Sequence, residues 1–242
     1  MSLYEVMGPC QLDVIVRILT TYLKLTSKGE QPTIQRISSE SLVGEEITRN
    51  ILKEYGLEGE ASSNKRVKAA VTALTIGVEG DRIAKYLHWR EFEELSAELM
   101  KRAGYTVYID TRIIEDEKRH QIDLTAYNTG LLLVVDCKHW VKPPAYTQRR
   151  RIISNQEKRI KALMRLEGEV QVNIIPIVLT LYEPRELIVE GYPYVPIQRI
   201  SGFIEWLQNN YPHIKCFKAR ISLEKLKASS RRVISKSYYE EL

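Results

Sequence analysis

The sequence predicts an α/β protein in which a mixed β-sheet is flanked by helices and preceded by an all-helical N-terminal domain. Three observations lead to this fold class. Residues 1–87 show only helical spacing of apolar residues, and residues 88–220 follow the order α-β-β-β-α-β-β-α. Some strand-like runs in the second part are apolar throughout, as in strands covered on both faces.

Five short helices account for residues 1–87. The first helix is the stretch CQLDVIVRILTTYLKLTS, whose apolar residues have helical periodicity, and the second and third are TIQRISSES and GEEITRNILKEYG. The fourth is SSNKRVKAAVTALTIG, with an N-cap at Ser62 or Ser63, and the fifth is EGDRIAKYL. The spacing around residues 33–55 permits a helix-turn-helix DNA-binding module. The 11 basic and 11 acidic residues of this segment cancel, which favours a scaffold or dimerisation module instead.

From residue 88 helices alternate with strands. WREFEELSAELMKRAG is an amphipathic helix, YTVYID is a strand, and the charged RIIEDEKRH is expected to be a loop or a strand edge. After the hairpin QIDLTAY–LLLVVDCK come a basic helix and the strand VQVNIIPIVLTLY, where Pro176 predicts an edge position or a bulge. YPYVPI is a short strand and RISGFIEWLQNN a helix. Residues 221–242 are expected to form a charged helix or tail.

The hairpin sets two acidic residues against each other. Either Thr129-Gly130 or the four residues Asn128–Leu131 supply the turn. With the four-residue loop, Asp123 falls opposite Asp136 and the other face becomes wholly apolar. Carboxylates about 5 Å apart repel each other by on the order of 3 kcal/mol at an effective dielectric near 20. A divalent cation held by oxygen ligands would offset this repulsion. Lys138 points to the same face, and Gln121 lies opposite it in this register.

This pattern resembles the PD-(D/E)xK nuclease superfamily, whose signature is an acid, a spacer, and then acid-x-Lys at the end of an apolar strand. Asp123 and the stretch VVDCK, with Asp136 and Lys138, supply these residues. The upstream FEELSAELMKRAGY resembles the helix that carries a further metal-site glutamate in Mrr-type restriction endonucleases and archaeal Holliday-junction resolvases, and Glu93 is the match. The resemblance covers about residues 89–210. Asp136 stands where Glu is commoner, and no proline precedes Asp123.

The resemblance implies a restriction-endonuclease-like fold and a Mg²⁺-dependent DNA endonuclease, with Mn²⁺ as a possible substitute. Asp123, Asp136 and Glu93 would hold the metal. Lys138 would orient the attacking water or stabilise charge on the phosphate, and Gln121 would support it. The alternatives are that Glu93 is an ordinary exposed helix acid and Lys138 a solvated strand-end lysine. The substrate would be a restriction-like site or branched DNA in repair and recombination; the rival function is a non-catalytic nucleic-acid-binding protein on a nuclease fold.

The net charge of +5 lies entirely after residue 87, and residues 138–165 hold nine basic residues and one acidic residue. Such a cluster is a plausible footprint for a polyanion, here DNA; the alternative is a solvated helix face. The candidate phosphate contacts are Arg149, Arg150, Arg151, Lys158, Arg159 and Lys161. A homodimer is a possible assembly, because nucleases of this superfamily often dimerise.

The composition excludes several other classes. No apolar run approaches the roughly 20 residues of a membrane span, and the first residues do not resemble a signal peptide, so we expect no membrane association and a cytoplasmic, nucleoid-associated location. Three scattered cysteines predict neither a disulfide framework nor a zinc site. Abundant Lys, Arg, Glu and Tyr hint at a thermophilic or archaeal source. The chain is thereby divided into residues 1–87, 88–220 and 221–242.

Overall fold

The structure is a computed structural model that describes residues 9–140 and 142–235. Its helices are α1 (Pro9–Thr26), α2 (Ile34–Ser41), α3 (Glu45–Glu54), α4 (Ser63–Thr75), α5 (Gly80–Ala84), α6 (Trp89–Arg102), α7 (Tyr146–Met164), α8 (Ile200–Asn210) and α9 (Leu223–Ala228). Its strands are β1 (Thr106–Glu115), β2 (Lys118–Asn128), β3 (Leu131–Lys138), β4 (Glu167–Thr180), β5 (Ile188–Val189), β6 (Tyr192–Pro196), β7 (Phe217–Ile221) and β8 (Ser230–Ile234). No helix within these ranges has the length and apolarity to cross a bilayer.

The chain divides into two compact units between Leu95 and Ser96, within α6. The five helices predicted before residue 88 are confirmed as α1 to α5. Thr33 caps α2 by accepting the backbone N–H of Arg36 at 3.2 Å, which satisfies a donor that the first turn leaves open. The division predicted at residue 87 stays a prediction.

A buried ion pair stabilises the N-terminal unit. Nε of Arg66 in α4 donates to Oε1 of Glu91 in α6 at 2.8 Å, and both side chains are buried. Arg66 also donates to the carbonyl oxygen of Tyr86 and the hydroxyl of Thr26. The other oxygen of Glu91 accepts the backbone N–H of His88 at 2.9 Å. Because these charges are fully hydrogen-bonded, removing either partner would leave a buried charge without compensation.

An eight-stranded mixed sheet forms the second unit. Its order is β5-β6-β4-β3-β2-β1-β8, and β7 pairs with β4 beside this path. β4 runs parallel to β3 and β6, whereas the other pairs are antiparallel. α7 connects β3 to β4 and packs Ile160 and Leu163 against Leu132 and Val134. The predicted fold class, a mixed sheet flanked by helices after a helical region, is confirmed.

The charged segment around residues 112–120 is not a loop. It extends β1 and β2, which meet in a tight turn at Asp116 and Glu117 with φ values of 47° and 61°. The alternation of exposed and buried residues in Arg112–Glu115 is that of a half-solvated strand. Of the two alternatives that the sequence left open, a loop or a strand edge, the structure therefore has strand.

The segment 221–242 is not a helix or tail throughout. After the short α9, strand β8 pairs antiparallel with β1, from Val107 opposite Ile234 to Thr111 opposite Ser230. Residues 236–242 lie outside the described ranges. β8 lacks a strand-like apolar pattern because it lies at a sheet edge, where few of its side chains are covered.

Pro176 predicted an edge position or a bulge, but β4 is a central strand and its register shift lies between Glu167 and Val170, away from Pro176. Pro176 lies opposite Val134 of β3. On the other side of β4, pairing with β7 ends at Ile174 and pairing with β6 begins at Val178. Pro176 lies in the gap between these two partners, so its missing N–H breaks no ladder there.

The predicted register of the β2–β3 hairpin is confirmed. The pairs run from Leu124 opposite Val135 to Asn128 opposite Leu131. Thr129 and Gly130 form the turn with φ values of 42° and 81°, the positive angles that a type I′ turn requires. This register brings the two acidic residues to the same level of the sheet, one position beyond its last pair.

Gly168 marks a close approach between two chain segments. A Cβ atom there would lie 2.4 Å from the backbone nitrogen of Ser222, which donates to the carbonyl of Leu166 at 2.7 Å. We expect Gly168→Ala to lower the free energy of unfolding by about 1–3 kcal/mol, because backbone must shift. The matched control is Gly202→Ala in α8, where nothing lies within 4 Å of the added atom. That change should raise the free energy of unfolding by up to about 1 kcal/mol. Equal urea-unfolding midpoints for the two variants would contradict this packing.

Candidate active site

The sheet opens where the two acidic residues lie. Beyond Leu124, pairing of β2 with β3 gives way to a side-chain contact: Oδ2 of Asp123 accepts the backbone N–H of Cys137 at 2.9 Å. On the other side of β2, the β1 ladder skips Asp110, whose φ is 54°. The carboxylate of Asp123 is therefore anchored to β3 at a point where the strands separate.

Asp110 was not foreseen from the sequence. It is buried and accepts two hydrogen bonds from Arg112, at 2.6 and 3.0 Å, while Arg231 of β8 lies 3.6 Å away. A left-handed conformation costs a non-glycine residue on the order of 1 kcal/mol, and such strain persists only where its surroundings enforce it. These ion pairs hold the kink beside Asp123.

Asp136 is 1% exposed, and both of its carboxylate oxygens are engaged. Nζ of Lys138 lies 2.9 Å from Oδ1 and 2.8 Å from Oδ2, and Nη1 of Arg159 in α7 donates to Oδ1 at 2.7 Å. Charge-assisted bonds of this length are among the strong ones in proteins. Two cations thus offset the repulsion that the sequence assigned to a metal ion alone.

Even with these two cations, the ionised form of Asp123 remains unfavourable. Burial raises the pKa of Asp123 to about 6, and the charge of Asp136 contributes to the same rise. The hydrogen bond from Cys137 and the charges of Arg159 and Lys138 act in the opposite direction but do not cancel the shift. A further cation would favour the ionised form of Asp123.

The other predicted site residues lie in different settings. Glu93 is buried on α6, which excludes the alternative of an ordinary exposed helix acid. Gln121 is exposed and lies opposite Arg112 of β1, so its support of Lys138 stays a prediction. In the described ranges, no three His, Cys, Asp or Glu side chains form a group suited to hold a metal ion. The membership of Glu93 in a metal site therefore also stays a prediction.

The predicted basic helix is confirmed as α7, and its cations fall into two groups. Four are exposed and form what we term the α7 cation surface: Arg150, Arg151, Lys158 and Lys161. Arg149 is partly buried and its Nε donates to the carbonyl of Pro144 at 3.3 Å. Arg159 pairs with Asp136 and lies within the site, not among the exposed cations. DNA binding by any of the six stays a prediction.

Sequence reasoning missed how α7 is fixed. The buried Gln156 donates Nε2 to one carbonyl oxygen each in β3 and β4, both at 3.1 Å. Gln156 and Arg159 occur at helical spacing with the buried Ile153 and Ile160, so they share the sheet-facing side of the helix. That spacing is the signal by which the pair could have been separated from the exposed cations.

Comparison with known proteins finds a match over the segment that contains these residues. Residues 84–166, which contain Glu93, Asp123, Asp136, Lys138 and all of α7, match the family model Mrr_cat, described as a restriction endonuclease. No curated protein and no solved structure matches the chain significantly. The resemblance to Mrr-type PD-(D/E)xK nucleases is confirmed for this segment, which is about a third of the chain, and it agrees with the restriction-endonuclease-like fold.

The raised pKa of Asp123 predicts that the metal-free protein loses stability as pH rises. Between the ordinary pKa of aspartate and about 6, the folded state binds more protons than the unfolded state. The contribution is present in full below about pH 4 and is lost as pH rises through about 6, up to roughly 3 kcal/mol. Asp123→Asn keeps an acceptor for Cys137 and removes the titration. In EDTA, wild type should lose stability relative to this variant between about pH 4.5 and 7.5; parallel denaturation curves would contradict the assignment.

Proposed function

We propose that this protein, whose residues 84–166 match a restriction endonuclease catalytic domain, is a metal-dependent DNA endonuclease that hydrolyses phosphodiester bonds. One observation carries the proposal: the hairpin gathers Asp123, Asp136 and Lys138 where β2 and β3 separate. A buried charge such as that of Asp136 is costly for stability, and a perturbed pKa such as that of Asp123 is more frequent at functional sites. The substrate is either a restriction-like duplex site or branched DNA of repair and recombination.

The donor set fits Mg²⁺, with Mn²⁺ as a substitute. Mg²⁺ prefers oxygen ligands and commonly takes one or two carboxylates, with water and substrate phosphate completing the shell. Asp123 and Asp136 supply two carboxylates, and the raised pKa of Asp123 reflects burial beside a second negative charge, which a cation would relieve. We assign Glu93 as a further ligand from its place in the motif.

When bound, the metal would polarise the phosphodiester and lower the pKa of a coordinated water. The protein's own groups position the reactants. The N–H of Cys137 fixes the orientation of Asp123, and the sheet fixes that of Asp136. Lys138, partly exposed beside Asp136, orients the attacking water or stabilises charge on the phosphate. Its Nζ lies 5.6 Å from the centre of the Trp140 ring, within the range of a cation–π contact.

The α7 cation surface would bind the DNA backbone. Arginine and lysine contacts to phosphate give affinity without sequence preference and depend strongly on salt. The N-terminal unit would then select the substrate, as a helix-turn-helix module, or join two copies into a homodimer. A DNA substrate implies a cytoplasmic, nucleoid-associated enzyme.

The rival function is a non-catalytic nucleic-acid-binding protein on the same fold. The presence of all four motif residues, Glu93, Asp123, Asp136 and Lys138, favours the enzyme. Inactive relatives of an enzyme have no need to retain a buried acid pair that costs stability. Binding without cleavage under every metal condition would favour the rival.

Cleavage should require a divalent cation and the acid pair. With labelled linear, branched and single-stranded DNA, wild type should cut at least one substrate in Mg²⁺ or Mn²⁺ and none in EDTA. We expect Asp136→Asn and Lys138→Ala to slow cleavage by about 10²–10³-fold or more while DNA binding in Ca²⁺ survives.

Stability provides an independent measurement on the same variants. Asp136→Asn leaves Lys138 and Arg159 without a full counter-charge, so the free energy of unfolding in EDTA should fall by about 1–3 kcal/mol. Undiminished cleavage in EDTA would overturn the metal assignment. A destabilised Asp136→Asn variant that still cuts at the wild-type rate would overturn the site.

Salt dependence tests the α7 cation surface. The double change Arg150→Ala with Arg151→Ala should weaken DNA binding similarly for all sequences. The slope of log affinity against log salt should fall by about 0.9 for each phosphate that the variant no longer neutralises. The matched control is Lys218→Ala with Arg220→Ala, which removes the same charge from exposed positions on β7. Equal slopes for the two double variants would mean that the surface is only solvated.

A further inference from the structure

We propose that Arg159 holds Asp136 in the metal-free enzyme and transfers to a non-bridging oxygen of the scissile phosphate when metal and DNA bind. This inference rests on the proposed function, because it assigns a further residue of the same site. It makes Arg159 a substrate-binding residue that links occupancy of the metal site to occupancy of the DNA site.

The position of Arg159 suits a side chain with two partners. Its backbone is fixed, since Gln156 one turn earlier is hydrogen-bonded to β3 and β4 and Ile160 is buried against the sheet. Its side chain retains 21% exposure, whereas Asp136 retains 1%. The neighbours Lys158 and Lys161 are exposed. The guanidinium therefore lies at the border between the acid pair and the α7 cation surface.

The charges at Asp136 require one cation to leave when a metal arrives. Oδ1 already accepts from both Lys138 and Arg159, and Nζ of Lys138 also lies 2.8 Å from Oδ2. Two carboxylates, Asp123 and Asp136, thus share this end of the hairpin with two cations before any metal arrives. A divalent ion bound to the same oxygens would lie beside two positive charges, and like charges at such distances repel strongly in a partly buried site.

Arg159 is better suited than Lys138 to be the cation that leaves. Nζ of Lys138 lies within 2.9 Å of both oxygens of Asp136, and the side chain extends from the same strand, two residues on. Arg159 makes one bond, to Oδ1, and approaches from a separate helix. Its planar guanidinium matches two oxygens of a phosphate, a geometry that an ammonium lacks.

Metal and DNA should consequently favour each other's binding. Without DNA, the metal must displace Arg159 from Asp136, so the affinity of the protein for the metal is reduced. A phosphate at the site accepts the released guanidinium and removes this cost. By linkage, the metal must increase affinity for DNA by the same factor, for which five- to 150-fold is the usual range, about 1–3 kcal/mol. The enzyme would therefore bind its metal poorly until DNA is present.

The first experiment measures Mg²⁺ binding to the DNA-free protein by calorimetry, which involves no cleavage. Arg159→Gln should bind Mg²⁺ about tenfold more tightly than wild type, because Asp136 is released. The matched control is Arg165→Gln, which removes an arginine from the end of the same helix that also pairs with a carboxylate, Glu115 at 3.0 Å. This control should bind Mg²⁺ like wild type.

The second experiment compares DNA affinity in Ca²⁺ and in EDTA. The gain from Ca²⁺ should shrink at least about fivefold in Arg159→Gln and stay unchanged in Arg165→Gln. Arg159→Lys keeps the charge with a shorter reach, so its Mg²⁺ affinity should fall between those of wild type and Arg159→Gln. If Arg159→Gln does not fold, the Mg²⁺ affinity of Arg159→Lys tests the exchange in its place.

Two failures can be told apart. If Arg159 variants bind Mg²⁺ no more tightly than wild type while wild type cuts DNA in Mg²⁺, the exchange is wrong and the proposed nuclease function stands. If wild type neither binds Mg²⁺ nor cuts DNA, the proposed function itself is overturned. A similar gain in Mg²⁺ affinity for Arg165→Gln would mean that the loss of any nearby positive charge has this effect, and it would overturn the exchange.

Discussion

The buried carboxylate of Asp136 requires compensating charge, and much of the second unit is arranged to provide it. A carboxylate with 1% exposure is tolerable only with ionic and hydrogen-bonding partners. One partner, Lys138, comes from the same strand, and the other, Arg159, comes from α7. Helix α7 must therefore lie close against β3, and the amide of Gln156 fixes it there. The position of a helix and the chemistry of the site depend on one another, so substitutions in the core beneath α7 would alter both.

Several unfavourable features meet at one level of the sheet. Asp110 has a left-handed backbone, the pKa of Asp123 is raised by burial, and Asp136 is almost inaccessible to solvent. Each costs stability, and the apolar residues of β2 to β4 and α7 must offset that cost. A structural role alone would be met more cheaply by apolar side chains. The concentration of such features at Asp110, Asp123 and Asp136 is therefore consistent with the proposed role of this part of the sheet.

The features that could be predicted from the sequence are those that depend on residues close together in the chain. The β2–β3 register followed from one apolar face and the turn at Thr129–Gly130, both of which depend on neighbouring residues alone. The helices of the N-terminal unit followed from periodicity and caps. In contrast, β8 is a strand because it pairs with β1, and Pro176 is tolerated in β4 because it lies between the segments that pair with β7 and β6. Neither fact can be predicted from one sequence segment alone. The contact of Arg159 with Asp136 likewise joins residues that only the packing of α7 brings together.

The pairing of β1 with β8 has a consequence for biosynthesis. Val107 cannot meet Ile234 until β8 has left the ribosome, which at ordinary rates of translation takes on the order of ten seconds after β1 emerges. Throughout that interval β1 is an open edge of the growing sheet, the kind of edge to which other chains add strands. The kink at Asp110 interrupts this edge, and the ion pair with Arg112 places charge beside it. A kink and a charge both oppose the addition of strands, so the residue that distorts the sheet near the site also makes β1 a poorer template for other chains.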